Sequence, residues 1–274
     1  MKIGMSSCSK NVDEELFAAY QKAGVSMMEI SMSPDQYDLL DSAKTLALSQ
    51  QYGVELWSYH LPFSPFEILD ISAVEEEKRI SSVEREKELI RRANEMQIKR
   101  CIIHASGEPI REEERLLRMA QAKKSLRELA EEADKYGMVI CVEDLPRTCL
   151  GRNSSDMLEL LSADDRLVSC FDTNHLLKES FADYLDKVGA YRGRHEGCPI
   201  VTLHVSDYDF VDEKHWLPGE GQMDWTGLIE KLKEIGYEGP WMYEVSPSCS
   251  TLKRDHDLTC EDFVANAKAI GAAE

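Results

Sequence analysis

Six times along this chain a short apolar run stops on a lone side chain able to hold a metal ion. Leu56-Trp57-Ser58-Tyr59 stops at His60, and Cys101-Ile102-Ile103 at His104. Val139-Ile140-Cys141-Val142 stops at Glu143, Val168-Ser169-Cys170-Phe171 at Asp172, Val201-Thr202-Leu203 at His204, and Trp241-Met242-Tyr243 at Glu244. Apolar runs without strict alternation mark strands buried on both faces. Residues far apart in sequence, each at the carboxyl end of a parallel strand, converge on one rim of a barrel, where catalytic groups sit. Imidazole and carboxylate ligands gathered this way predict one hard or borderline divalent cation, Mn, Zn or Co.

The strand pattern falls at 3–7, 27–31, 56–60, 101–105, 139–143, 168–172, 201–205 and 241–245. Helical patterns alternate with it at 13–23, 34–52, 74–96, 112–136, 155–161, 181–191, 225–235 and 261–270. Several end at a glycine placed to cap them, as in Ala23-Gly24, Tyr52-Gly53, Tyr136-Gly137 and Ile235-Gly236. In the stretch 112–136, Leu116, Leu117, Met119, Ala120, Leu126, Leu129, Ala130 and Ala133 form a stripe that reads as core. Regular alternation selects a parallel α/β architecture. A count of eight selects the closed (β/α)8 TIM barrel over an open sheet, and 274 residues suit one domain spanning 1–274. No glycine-rich phosphate loop follows a strand, so the usual dinucleotide and nucleoside triphosphate sites are not expected.

Fifty-one acidic against 32 basic residues leave a formal charge of −19, which argues against nucleic acid or an anionic membrane as partner. No apolar run approaches the roughly 20 residues of a membrane span, and Met1-Lys2-Ile3-Gly4 opens straight into a strand pattern without a leader. The eight cysteines lack CxxC or zinc-ribbon spacing and read as free structural thiols of a cytoplasmic protein. No self-complementary patch stands out on the outer helices, which leaves a homo-oligomer open.

Of seven histidines, His60, His104 and His204 end strands, His175 follows Asp172 by three, and His215 lies in the loop after the seventh strand. His195 and His256 belong to polar connections. One histidine alone reads as a structural side chain. Five at one rim with two glutamates and an aspartate read as a metal centre, because buried carboxylates need a compensating charge. Glu29 ends the second strand and either points into the barrel mouth or makes a salt bridge at the rim.

His60-Leu61-Pro62-Phe63, Val142-Glu143-Asp144, the segments 171–175 and 203–207, and the longer stretches 215–225 and 236–245 resemble the xylose-isomerase-like barrel superfamily. That superfamily groups sugar isomerases and epimerases with repair nucleases of the endonuclease-IV type. The resemblance implies that Glu143, Asp172, His204 and Glu244 bind a single metal. It implies that Glu143 and Glu244 also exchange a proton with the carbon beside a carbonyl, through a metal-stabilised enediolate. His60, His104, His175, His215, Trp216 and Arg147 are then expected around a small carbohydrate substrate, Arg147 as holder of a phosphate or carboxylate. Trp57, Phe63, Trp216 and Trp225 are candidates for an apolar wall against a sugar's C–H face, with barrel packing the favoured role for Trp57. Ketose 3-epimerases usually carry a glutamate and an arginine where this chain has Cys149 and Phe210. A lyase or hydrolase of 3-oxo-glycosides begins with the same deprotonation. In the nuclease reading, three zinc ions would use His60, His104, Glu143, Asp172, His175, His204, Glu213, His215 and Glu244.

Overall fold

The computed structural model describes residues 1–8 and 10–273. Eight strands, β1 (Ile3–Ser6), β2 (Met27–Ile30), β3 (Glu55–His60), β4 (Arg100–His104), β5 (Val139–Glu143), β6 (Val168–Asp172), β7 (Ile200–His204) and β8 (Trp241–Tyr243), form one sheet. They alternate with α1 (Glu14–Ala23), α2 (Ser42–Tyr52), α3 (Glu76–Glu95), α4 (Arg115–Asp134), α5 (Ser154–Leu161), α6 (Phe181–Gly189), α7 (Trp225–Glu234) and α8 (Cys260–Ala269). All laddered pairs are parallel, in the order β7-β6-β5-β4-β3-β2-β1-β8. The last gap, between β7 and β8, is bridged at the rim by Val205 N–H donating to Met242 O at 2.8 Å and Glu244 N–H to Val205 O at 3.1 Å. The expected (β/α)8 TIM barrel is therefore present, with its final seam the most lightly laced.

Local chemistry explains most boundaries. Asp13 caps α1 by accepting from the Leu16 N–H, and Asn153, Ser180 and Asp224 do the same for α5, α6 and α7. Gly24 and Gly53 close α1 and α2 in the left-handed conformation, which costs glycine no Cβ clash. The helix expected at 34–52 is shorter than the sequence pattern. Residues 34–39 wind into turns, where Gln36 Oε1 accepts the Ser33 N–H at 2.9 Å, and Asp41 then starts α2 by capping Lys44. The stripe on α4 also needs correction, because Leu116 is 87% and Leu117 51% exposed. Arg115 takes the inward position in that turn and donates to the carbonyls of Thr148 and Cys149, at 2.8 and 2.9 Å. Met119 follows one turn later on the same face, so Leu116, Leu117 and Ala120 rotate outward.

Candidate metal centre and its cavities

Parallel register brings the strand ends to one rim, stepped by two residues between β3 and β4, where His60 faces Ile102, and between β5 and β6, where Glu143 faces Cys170. His104 lies directly across from Glu143, and Asp172 across from His204. Glu244 follows β8, and its N–H bond to Val205 fixes it beside His204 across the seam.

One ligand atom each from Glu143, Asp172, His204 and Glu244 fall within 4.8 Å of one another. His204 Nδ1 stands 2.9 Å from Glu143 Oε1, 3.2 Å from Glu244 Oε2 and 3.9 Å from Asp172 Oδ2. Asp172 Oδ2 is buried and meets no hydrogen-bond donor. Burial, joined by the Glu244 and Glu143 charges, holds the Asp172 carboxyl well above the usual range. Burial pushes Glu143 upward too, but the His204 and His104 rings outweigh it and hold that carboxyl well below its ordinary value. Three carboxylates thus share a pocket in which imidazoles supply the positive charge. Enclosing several acids without compensation costs several kcal/mol. An orphaned oxygen, three acids and a ring nitrogen in one cluster fit a divalent cation.

The far side of His204 is held as well. Both oxygens of Glu29 lie 3.0 Å from His204 Nε2, and Glu29 Oε2 also accepts from Ser58 Oγ at 2.7 Å. Glu29 is fully buried. It therefore stands under the histidine and keeps the proton on Nε2, which turns Nδ1 toward the acids.

The other rim histidines crowd round. His60 donates from Nδ1 to the Leu61 carbonyl at 2.8 Å, and its Nε2 lies 3.2 Å from Glu143 Oε2. Burial pulls the His60 pKa down, but the Glu143 contact dominates and carries it up to about 9. His104 Nε2 reaches the same Glu143 oxygen at 3.1 Å. Burial lowers the His104 pKa. His175 donates from Nδ1 to the Asp144 carbonyl at 2.7 Å, and its Nε2 stands 3.7 Å from Asp172 Oδ2. His215 Nε2 sits 3.1 Å from Glu213 Oε1. Four further groups of potential ligands result: His60 with His104 and Glu143, His60 with His204 and Glu244, Glu143 with Cys170 and His204, and His175 with Glu213 and His215. His195 and His256 are exposed and apart from all of this.

Two cavities open over the cluster. The inner one, about 260 Å³, is lined by His60, His104, Glu143, His175, Glu213 and Arg147 among others. The outer one, about 340 Å³, runs along the loops after β1, β2, β3 and β8, and shares Phe63, His215 and Glu244 with the inner. Cys8 lines the outer cavity, and burial pushes its thiol up to about 12, an unreactive state. Cys149 is buried against the inner cavity where ketose 3-epimerases have glutamate. Phe210, in place of their arginine, packs on Tyr208 at 4.6 Å between ring centroids.

Three expectations change. Arg147 borders the inner cavity, but its fork is committed to Glu108 at 2.6 and 2.7 Å, Asp212 at 2.9 Å and Glu213 at 2.7 Å. It clasps three rim loops instead of offering itself to an anion. Trp216 borders neither cavity. Its backbone pairs with Asp207 in an antiparallel bridge that turns alternate side chains to opposite sides, so His215 faces inward and the Trp216 indole donates outward to Thr251. Trp57 lies at the other end of the barrel under the Arg100 guanidinium, and Trp225 is buried, donating to Asp207. Of the aromatic wall, Phe63 remains, stacked on His104 at 4.3 Å. Asp207 escaped notice as a loop organiser. Its carboxylate accepts from Tyr208 N, Met223 N, Gly219 N and Trp225 Nε1, drawing 207–225 over the rim.

The profile of the xylose isomerase-like TIM barrel family matches residues 17–261. An uncharacterised protein of Methanocaldococcus jannaschii is 29% identical over 200 residues, 71% of this chain and 65% of that protein. Fructoselysine 3-epimerase of Escherichia coli O157:H7 is 32% identical over 121 residues, 42% of this chain and 41% of the enzyme. The matches therefore span less than two thirds of these relatives' own lengths. A crystal structure of a D-tagatose 3-epimerase-like protein superposes with a TM-score of 0.77 at 25% identity, covering 99% of this chain and 96% of the other. Among the described residues no helix is long and apolar enough to cross a membrane.

Proposed function

Since the chain belongs to the xylose isomerase-like TIM barrel family, we propose that it is a divalent-metal-dependent isomerase or epimerase of a sugar or sugar derivative. The observation that carries this reading is the pair of glutamates, Glu143 at the end of β5 and Glu244 after β8, meeting at the His204 ring with an orphaned Asp172 oxygen in the same cluster. The similarity to a fructoselysine 3-epimerase and to a D-tagatose 3-epimerase-like protein supports it.

One divalent ion, Mn, Zn or Co, held by Glu143, Asp172, His204 and Glu244, would supply a Lewis acid for the substrate's carbonyl. The rest belongs to the chain. One glutamate lifts the proton from the carbon beside the carbonyl, and the electron pair delocalises into that carbonyl. Delivery of a proton by the other glutamate to the opposite face inverts the carbon; delivery to the former carbonyl carbon, with the hydroxyl proton of the first carbon passing to the former carbonyl oxygen, isomerises. His60 and His104 both grip Glu143 Oε2, which leaves Oε1 as the oxygen turned to the cluster centre. Phe63 and His215 flank the cavity. The eight free thiols suit a reducing compartment, and the proposed site of action is the cytoplasm.

The test is solvent deuterium uptake into ketoses and keto-glycosides by metal-loaded protein, read by NMR. Uptake that Glu143→Gln and Glu244→Gln each abolish supports the reading, and undiminished uptake by either variant removes it. The presence of all nine rim residues among the groups able to hold an ion favours a second reading, a zinc-dependent repair nuclease. Elemental analysis separates the two. About one ion per chain fits the sugar enzyme, while about three zincs with cleavage of abasic DNA fit the nuclease.

A further inference from the structure

A further cavity, about 480 Å³, opens at the opposite end of the barrel, among the residues that begin β4, β5 and β7 and the loops that precede β7 and β8. It shares no residue with the groups able to hold an ion. Barrel enzymes carry out their chemistry at the carboxyl-terminal rim, which leaves this end outside the reaction. Two irregularities shape it. The ladder between β2 and β3 steps from Leu56 to Ser58 and skips Trp57, and the ladder between β6 and β7 steps from Ile200 to Thr202 and skips Val201. Such bulges re-aim the side chain they free, and both skipped residues line this cavity. The Trp57 indole reaches across the barrel to β7, where its Nε1–H donates to Thr202 Oγ1 at 3.3 Å.

Arg100, the first residue of β4, lies over that indole with its Cζ 3.4 Å from the ring centroid. The contact engages one face of the guanidinium and none of its five N–H donors. Every other arginine of the chain donates from its side chain to a protein oxygen. Among the described residues Arg100 donates to none, although it is half-buried. Burial draws its pKa below the usual arginine value. A half-buried guanidinium with its fork free, in a chain that carries 51 acidic residues to 32 basic ones, needs an anion from outside the chain.

The remaining lining decides which anion. Lys99 and His195 border the cavity, and Lys99 Nζ donates to Tyr136 O at 3.3 Å. Glu196 and Glu238 border it as well, both exposed. The carboxyl-terminal ends of α4 and α7 arrive at Gly137 and Gly236 with partial negative charge of their own. Two glutamates and two helix ends set against one arginine and one lysine suit a single negative charge and disfavour a phosphate dianion. A planar carboxylate fits the arginine fork with two parallel hydrogen bonds. Val139, Ile200 and Val201 supply an apolar wall beside the indole.

We infer that this cavity is a second ligand site, taking a small organic monocarboxylate with its carboxylate on the Arg100 fork and its apolar body against Trp57, Val139 and Val201.

The experiment titrates benzoate into metal-loaded protein by calorimetry, with benzamide as the neutral isostere and inorganic phosphate as the dianion. The expected result is saturable binding of one benzoate per chain, at least about tenfold tighter than either other probe, with a change in tryptophan emission that Trp57→Phe removes. Arg100→Gln should weaken benzoate at least about tenfold, and Arg100→Lys, which keeps the charge without the fork, should fall between. Cys198→Trp fills the cavity from its loop, leaves Arg100 in place and should weaken benzoate as much as Arg100→Gln. Wild-type affinity in either folded variant, Arg100→Gln or Cys198→Trp, would put the carboxylate elsewhere, as on the rim metal, and overturn the inference. Absence of saturable binding, or equal affinity for benzamide or phosphate, would overturn it too. None of these results bears on the proposed reaction, whose groups lie at the other end of the barrel.

Discussion

Glu29 offers the sharpest test of how the centre is held. It makes no claim on the ion itself, yet its two oxygens lie 3.0 Å from His204 Nε2 and one also accepts from Ser58 at 2.7 Å. Glu29→Gln keeps the shape and one acceptor but removes the charge that raises the basicity of the ring. Glu29→Ala removes both acceptors and leaves a buried N–H and a buried hydroxyl unsatisfied, each costing about 1–3 kcal/mol. Loss of such outer partners typically weakens metal binding by about 10–100-fold, which is about 1.4–2.7 kcal/mol. Glu29→Gln is expected near the lower figure and Glu29→Ala near the upper. Competition of the apoprotein with a chromophoric chelator for Zn or Mn reads the affinity, and urea denaturation of the apoprotein separates that from any loss of fold. Ser58→Ala, which leaves the His204 contact intact, should produce a smaller change. A Glu29→Gln variant that folds normally and binds the ion within twofold of wild type would show that Glu29 merely fills space, and the reasoning fails.

Other outcomes follow from the same structure. Replacing the proposed acid–base pair one residue at a time, as Glu143→Gln or Glu244→Gln, should lower turnover by about a thousandfold, within the usual 10²–10⁴ span for general acid–base groups, with circular dichroism unchanged. Glu86 is buried, its Oε2 lacks a partner, and burial lifts its pKa well above the ordinary carboxylate value. Its folded-state pKa exceeds the unfolded one, so its contribution is complete below about pH 4.3 and declines as pH rises through the folded value. Glu86→Gln should therefore stabilise the protein at pH 8 by about 1–3 kcal/mol and do nothing at pH 4, as measured by urea melts; equal effects at both pH values would contradict this. Asp207→Ala removes an acceptor of four hydrogen bonds and should cost about 3 kcal/mol. Faster amide exchange should then appear across 217–225, and exchange that stays protected there would refute the organising role.

Strand ends were legible because a parallel ladder converts a one-dimensional cue into a ring. Once β4 and β5 end level, and β6 and β7 end level two residues further on, His104, Glu143, Asp172 and His204 come to one rim, whatever the loops between them do. Glu29 could be flagged on the same cue, but its partner could not, since a contact spanning 175 positions leaves no local mark. Arg147 misled for the complementary reason. A lone arginine beyond a metal-capable glutamate looks available until the acids on two other loops are placed in space. Trp216 and the turn at 34–39 failed on local geometry: a bridge that flips alternate residues, and a backbone bonded to Gln36 that resists the helix its composition suggests. Leu116 and Leu117 were displaced by Arg115, whose donors found buried carbonyls and outranked apolar spacing.

The light lacing between β7 and β8 has a consequence in time. β8 ladders with β1, whose residues lie more than two hundred positions upstream, so this closure spends loop entropy that earlier pairings do not. Glu244 arrives with β8 and His204 waits on β7, which means the proposed ligand set is incomplete until the ring shuts. A partly folded chain therefore holds no half-working centre. Ion capture during refolding should appear as a late phase, coincident with the last strand docking, and the ion would then act as the clasp that keeps the ring shut.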